Sequence, residues 1–170
     1  MLIRKETSND IETITHIEYA AFKNHPMHAP GSEPTEHRIV EELRNAGALS
    51  LSLVAEQHGE IVGHIALSPT SIGATSEGWF LLGPIGILPA LQKKGIGSAL
   101  MQCAIACMKK QGAQGIVLIG DPAFYTRFGF TAVAGITYEG VPDQFVLTLA
   151  FTKTLPKGNI VAHPAFSITE

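Results

Sequence analysis

The chain has 170 residues, of which 45% are hydrophobic, a formal net charge of -3 at pH 7 and a pI near 6.1. This length has room for one sizeable core, so we expect a single domain over residues 1–170, and the weak negative charge excludes a broad nucleic-acid-binding surface. No apolar stretch approaches the roughly 20 residues of a membrane span, and the charged N-terminus does not read as a signal peptide, so a cytoplasmic protein without membrane contact is expected.

Two helices and a hairpin are predicted in the first part of the chain. A cap among residues 8–10 begins a first helix that runs to about Phe22, with isoleucines near helical spacing. A loop rich in Pro and Gly ends it, and Thr35 caps a second helix. The runs LSLVAEQ and IVGHIALS flank a polar tip and indicate an antiparallel hairpin.

The next segment predicts a buried strand that is interrupted by a proline. Residues 78–88, GWFLLGPIGIL, are nearly all apolar, which is typical of a strand covered on both faces. Pro84 cannot donate to a ladder, so we expect a bulge or a parting of neighbouring strands there. A helix over about residues 96–111 and the strand-like GIVLIGD follow, which indicates a parallel crossover unit within a mixed α/β domain.

An anion site is predicted at the turn LQKKGIGSAL, residues 91–100. Free amides at a helix start, with glycines that let an anion approach, bind phosphate. The P-loop pattern fails because neither glycine is followed by Lys. The dinucleotide pattern G-x-G-x-x-G is half met by Gly95 and Gly97, and Asp121 could serve as its ribose-binding acid. A nucleotide-binding oxidoreductase therefore stays open as an alternative.

The same turn resembles the acyl-CoA signature of the GNAT superfamily of N-acyltransferases. Its pattern Q/R-x-x-G-x-G/A is met at residues 92–97, and YTRFGF matches the family's Y-x-x-x-G-F after its fifth strand. The resemblance extends to a branch of bacterial predicted N-acetyltransferases, whose GDP-x-[FY]-Y-x-RFGF and HPAF segments correspond to residues 120–130 and 158–166. It implies a central, mostly antiparallel sheet, flanked by helices, whose fourth and fifth strands are parallel and splay apart.

The resemblance also implies an activity: acetyl transfer from acetyl-CoA, as cosubstrate, to a primary amine by direct attack in a ternary complex. Strand backbone would hold the pantetheine arm, the amides of the turn would hold the pyrophosphate, and two phenylalanines would pack along the cofactor. A non-catalytic acyl-CoA sensor remains a second alternative. The cofactor-binding residues implied are Ile85, Gly86, Ile87, Gln92, Lys93, Lys94, Gly95, Ile96, Gly97, Ser98, Phe124 and Phe128.

Tyr125 is the general acid that the resemblance implies. A phenol of pKa near 10 is protonated at neutral pH and can protonate a departing thiolate of pKa about 8.5. The attacking amine must also lose a proton, and Glu77 and His64 are the candidate bases.

The acceptor side of the site is predicted only in outline. His25, His28 and Glu33 lie in the loop after the first helix, where family members shape the pocket for a small-molecule or peptidyl amine. The histidine spacing does not match a metal site, so no metal is expected. Cys103 and Cys107 fall on the apolar stripe of a helix and are expected in the core, without a disulfide. A monomer and a homodimer are both compatible with the sequence.

Overall fold

A computed structural model describes residues 1–23, 25–26 and 28–168. The helices are α1 (Ile11–Phe22), α2 (Glu36–Asn45), α3 (Ile96–Lys110) and α4 (Pro122–Tyr125). The strands are β1 (Leu2–Lys5), β2 (Leu51–Gln57), β3 (Glu60–Pro69), β4 (Ser71–Ile72), β5 (Trp79–Ile87), β6 (Gly115–Ile119), β7 (Thr131–Ala132), β8 (Ile136–Thr137), β9 (Val146–Ala150) and β10 (Gly158–Val161).

The main sheet has seven strands in the order β1-β2-β3-β5-β6-β9-β7. Among its described pairs, β5 with β6 is parallel and the others are antiparallel. A smaller sheet has the order β4-β10-β8. The mixed, mostly antiparallel architecture expected from the sequence is confirmed.

Each face of the main sheet carries its own core. On face A, α3 packs over the sheet through buried side chains that include Leu100 and Met101. On face B, α1 packs over β3 and β5, and Ile14 of α1 and Val40 of α2 form a core with residues of β2 and β3. The smaller sheet covers β5, β6 and β9 on face B. The side chains of one strand alternate between these two cores because successive residues point to opposite faces.

The predicted helix boundaries agree closely with the structure. A 3-10 turn over residues 8–10 leads into α1, α2 begins directly after Thr35, and α3 ends one residue before the predicted position. On α3, Cys103 and Cys107 are half-buried and pack against the face A core. Burial raises the pKa of the Cys103 thiol.

The N-terminal strand β1 and the smaller sheet were not predicted. The segment LIRK of β1 is four residues long and pairs with β2, while β4 and β8 have two residues each. Segments this short are too short to show the alternation of apolar and polar residues typical of a strand. Whether they form strands is therefore determined by tertiary pairing rather than by local pattern. In the C-terminal segment, a 3-10 turn at Pro164–Ser167 packs on α2 through Ala165.

An ion pair beside β1 fixes the entry into α1 and gives a stability prediction. Arg4 Nη1 and Nη2 lie 2.7 and 3.1 Å from the Asp10 carboxylate oxygens, and the Thr7 amide donates to the same carboxylate at 2.7 Å. The hydrogen bonds from Arg4 chiefly lower the pKa of Asp10 from 3.8 to about 2. Asp10→Asn is expected to lower the free energy of unfolding by about 1–2 kcal/mol at neutral pH.

The pH dependence of that loss follows from the sign of the shift. A lowered folded-state pKa stabilises the protein above the unfolded pKa, and this stabilisation disappears as the pH falls towards the folded value. The difference in the free energy of unfolding between wild type and Asp10→Asn is therefore expected to become smaller as the pH falls from 3.8 to about 2. Urea unfolding at several pH values measures it, and a difference that stays constant across this window would contradict the assignment.

Candidate active site

A slot opens in the main sheet where β5 and β6 part. The two strands are paired only from Trp79 opposite Gly115 to Leu81 opposite Val117. Beyond that point β5 continues for six residues, and its register against β3 shifts between Ile65 and Leu67. The sequence predicts a bulge or a parting of strands at Pro84, and both are present: the register against β3 shifts between Leu82 and Ile85, and β5 parts from β6 beyond Leu81. The parting leaves one edge of β5 open.

Backbone groups of β5 point into this slot at alternate positions. The Leu88 amide donates to the Val62 carbonyl at 3.0 Å, so by antiparallel alternation Gly86 also turns its polar groups towards β3. Ile85 and Ile87 then direct their amides and carbonyls into the slot. The family resemblance implies that all three residues hold the pantetheine arm. In the structure the backbone of Gly86 instead faces β3, where it pairs with His64.

The predicted anion turn lies directly after the open edge. Gln92 Nε2 donates to the Ile87 carbonyl at 3.1 Å and ties the turn to β5. Lys93 and Gly95 have positive φ angles of 62° and 90°, which curl the backbone ahead of α3. The Ala99 amide makes the first intrahelical bond, to Gly95 at 3.1 Å, so the preceding amides, at positions 96–98, have no intrahelical acceptor.

The space in front of those amides is open and has one aromatic wall. A Cβ placed on Gly97 would meet only the Phe124 ring, at 3.7 Å. Phe128 packs against Phe124 with ring centroids 5.3 Å apart, and the Arg127 guanidinium lies 5.0 Å from the Phe124 centroid. The cradle therefore combines backbone donors, exposed positive charge at Lys93 and Lys94, and a flat apolar side.

Tyr125 lies next to this wall, with its ring packed and its hydroxyl unengaged. The ring contacts Phe124 and Phe130, with centroids 4.9 and 6.2 Å away, and lies against the α-carbon of Gly120. Burial raises the pKa of Tyr125 to about 12, above the value near 10 expected from the sequence. Within the described residues the hydroxyl has no hydrogen-bond partner, so it is not committed to a structural contact.

The three residues predicted for the acceptor pocket have partners of their own. His28 Nε2 lies 2.8 Å from Glu36 Oε1, and the His25 ring packs between those of Phe22 and His28 at 5.3 and 5.8 Å. Glu33 accepts hydrogen bonds from Lys23 and Tyr19. The loop residues Asn24 and Met27 lie outside the described residues.

The two candidate bases occupy very different places. Glu77 is exposed and precedes the paired end of β5, whereas the slot begins beyond Leu81. At about 3.3 Å per residue, roughly 20 Å of strand separates Trp79 from Ile85, so Glu77 lies well away from the backbone groups of Ile85 and Ile87. His64 is fully buried on face B, directly opposite Gly86.

A second buried ionisable group near the slot escaped the sequence analysis. Glu18 is 0% exposed, contacts the α-carbon of Gly86, and has its Oε1 3.8 Å from His64 Nδ1. The signal was available, because Glu18 shares the apolar stripe of α1 with Ile14 and Ala21 at helical spacing. A charged residue on a core-facing stripe marks a position where local pattern and burial disagree.

Residues 48–132, half of the chain, match the family model described as an acetyltransferase (GNAT) domain. The chain belongs to the GNAT acetyltransferase family. The matched region contains the slot, the anion turn and Tyr125. The splayed β5 and β6 are the family's fourth and fifth strands, because the two-residue β4 precedes them in our numbering.

Relatives agree with this assignment. A crystal structure of a GNAT family acetyltransferase from Brucella melitensis, in complex with acetyl-CoA, is 41% identical, covers 97% of both chains and superposes with a TM-score of 0.83. The structure of Escherichia coli YhbS with CoA has the same fold, with a TM-score of 0.87 over 99% of this chain and 93% of that one at 24% identity. The curated sequence of YhbS from Escherichia coli K12, an uncharacterized N-acetyltransferase, is 29% identical over 119 residues, 64% of this chain and 71% of that protein.

Two further observations bear on the sequence predictions. Asp121 caps α4 by accepting the Ala123 amide at 2.9 Å, which gives it a local role in this GNAT fold and removes the reason to treat it as a ribose-binding acid. Across residues 1–23, 25–26 and 28–168, no helix has the length and apolar character to cross a membrane, and no three His, Cys, Asp or Glu residues are grouped as for a metal ion.

Proposed function

We propose that this GNAT protein transfers the acetyl group of acetyl-CoA to a primary amine by direct attack in a ternary complex. The observation that carries the proposal is the continuity of two sets of backbone groups. The open edge of β5 leads into the free amides at the start of α3, and Gln92 joins them. A pantetheine arm that ends in a pyrophosphate requires this sequence of contacts.

The residues fit the cofactor in shape and charge. Ile85 offers an amide and a carbonyl to the pantetheine amides, as an added strand does at a sheet edge, and Ile87 offers its amide, since its carbonyl accepts from Gln92. The pyrophosphate would lie on the amides around Gly97, where the helix dipole and the two exposed lysines favour negative charge. The binding of acetyl-CoA by the Brucella melitensis relative supports this placement.

The chemistry assigned to the chain is mainly positioning. The open strand edge would hold the thioester with its carbonyl against a backbone amide, and the slot would bring the amine to it. Tyr125 would donate its proton to the departing thiolate. The region of His25, His28 and Glu33 is proposed to contact a small-molecule or peptidyl acceptor, because it follows α1, which packs on β5.

Calorimetric titration with acetyl-CoA, CoA and NAD tests the cofactor assignment. We expect saturable binding of acetyl-CoA and CoA and no heat from NAD. Binding of NAD alone would overturn the proposal in favour of the oxidoreductase alternative. A screen of primary amines with a thiol-detecting assay then separates an enzyme from a sensor, since a sensor binds acetyl-CoA but releases no CoA above the background rate with any amine.

A further inference from the structure

A row of polar side chains runs through the face B core. It begins at Glu18 beside the slot and ends at Arg44 of α2. Glu18 Oε1 lies 3.8 Å from His64 Nδ1, and His64 Nε2 lies 2.8 Å from Ser52 Oγ. The Ser52 hydroxyl makes a short hydrogen bond to Glu6, which Arg44 holds with two hydrogen bonds of 2.9 Å. Each link can give up a proton on one side and take one on the other.

Glu6 and Arg44, at the end of this row away from the slot, determine which nitrogen of His64 carries the proton. Burial raises the pKa of Glu6, but the hydrogen bonds from Arg44 and Ser52 outweigh it and the pKa is lowered overall. Glu6 is therefore a carboxylate, and the single Ser52 proton points to it. Ser52 Oγ can then only accept from His64, so Nε2 carries the proton and Nδ1 is the basic nitrogen that faces Glu18.

Glu18 and the Nδ1 side of His64, at the end of the row next to the slot, are buried without direct hydrogen bonds among the described residues. Within the described residues neither carboxyl oxygen of Glu18 has a hydrogen-bond partner, and neither does His64 Nδ1. A neutral His64 beside an ionised Glu18 would oppose two lone pairs. One proton therefore belongs between Oε1 and Nδ1, which lie 3.8 Å apart.

The location of the pair argues against a purely structural role. Gly86 has no side chain, and a Cβ there would collide with the Glu18 carboxyl, so the carboxyl lies against the same strand whose edge is open. Burying an unbridged carboxyl and imidazole is costly, and an apolar pair of similar volume would stabilise a core at least as well. Buried ionisable groups of this kind are concentrated at functional sites.

We propose that Glu18 and His64 form a buried proton relay that takes the proton from the acceptor ammonium and passes it through Ser52 to Glu6. The inference rests on the proposed function, because only an amine acceptor supplies that proton. The proposal places the amine at the face B side of the slot, because Glu18 of α1 is a buried carboxyl that lies against Gly86 in the open part of β5.

The proton count of the relay balances. The ammonium N–H bond breaks and its proton goes to Glu18, while the electron pair stays on the nitrogen that attacks. The proton already held at Glu18 Oε1 moves to His64 Nδ1 as the ammonium proton reaches the other carboxyl oxygen, and the Nε2 proton moves to Ser52 as the Ser52 proton moves to Glu6. Glu6 and Ser52 line a surface depression of about 330 Å³, where water removes the proton. The low pKa of Glu6 suits release.

The charges that surround Glu18 define how it responds to pH. Burial chiefly raises the pKa of Glu18, His64 on β3 lowers it, and Glu36 on α2 raises it; β5 contributes backbone at Gly86. A raised pKa makes the carboxylate a stronger base. The relay matters only while the acceptor is an ammonium, so its contribution is expected to fade as the pH approaches about 10, the pKa of a lysine-like amine.

Nitrogen-15 NMR of histidine-labelled protein tests the relay without any acceptor. We expect His64 to be protonated at Nε2 at neutral pH, with an Nδ1 shift that changes in Glu18→Gln. The matched control is Glu12→Gln, an exposed residue on the same helix, which should leave the His64 signals unchanged. Protonation at Nδ1 alone, or signals that do not respond to Glu18→Gln, would overturn the relay.

Turnover provides the second test, with the amine found in the acceptor screen. Glu18→Gln is expected to lower kcat/KM about 100-fold or more at neutral pH, with acetyl-CoA affinity unchanged, and the deficit should narrow as the pH rises. His64→Gln should behave alike, and His16→Gln, exposed on α1, is its control. A deficit that is the same at every pH, or no deficit, would overturn the relay. Absence of acetyl-CoA binding or turnover in the wild type would instead refute the proposed function, while the NMR result would still decide whether Glu18 and His64 are coupled as the relay requires.

Discussion

Gly97→Glu is expected to abolish measurable binding of acetyl-CoA and CoA. The substituted side chain would start 3.7 Å from the Phe124 ring and extend into the open space before the α3 amides. Its carboxylate would then compete with the pyrophosphate for the same donors. Two like charges about 4 Å apart repel by about 4 kcal/mol at an effective dielectric of about 20, which corresponds to a loss of about 1,000-fold in affinity.

Two variants at the same position separate charge from bulk. Gly97→Gln adds the same volume without the charge, and Gly97→Ala adds only a Cβ at an ordinary contact distance from Phe124. Affinity measured by calorimetry should fall in the order wild type, Ala, Gln, Glu, while all four proteins keep similar melting temperatures. Glu and Gln variants of equal affinity would show that no phosphate lies at this turn.

The slot and the anion turn were predictable from the sequence because backbone constraints produce them. Pro84 cannot donate within a ladder, so its presence in an apolar run predicts a bulge or a parting of strands whatever its neighbours are. Gly95 and Gly97 predict the start of a helix whose first amides are accessible. These signals are local, and the structure adds to them the Gln92 side chain that ties the turn to Ile87.

Other features depended on strand register, which no local pattern encodes. The direction of the Gly86 amide follows from its pairing with His64, and the distance of Glu77 from the slot follows from where β5 and β6 separate. A one-residue change of register would reverse the first of these. Glu18 was not predicted for a different reason: helical spacing identifies the core-facing stripe of α1, but it does not show whether a charged residue on that stripe is buried.

Tyr125→Phe is expected to lower kcat by about 100-fold or more and to leave acetyl-CoA affinity nearly unchanged. General acids contribute about 100- to 10,000-fold, and the phenylalanine ring would keep the contacts with Phe124, Phe130 and Gly120. Tyr138, half-buried in the face B core away from the slot, offers a matched control as Tyr138→Phe. Equal turnover of both variants and wild type, with chemistry rate-limiting, would remove Tyr125 from the mechanism.

The raised pKa of Tyr125 adds a test by pH. Burial keeps the phenol protonated to about pH 12, so Tyr125 cannot cause a fall in kcat between neutral pH and about pH 10. Proton transfer to a thiolate of pKa about 8.5 is then uphill by more than the sequence suggested, so the hydroxyl must act as a donor while the carbon–sulfur bond breaks. Tyr125→Phe should accordingly scale kcat down without moving the apparent pKa values of its profile, whereas Glu18→Gln should change the shape of the profile. Stopped-flow measurement of CoA release across this pH range separates the two roles.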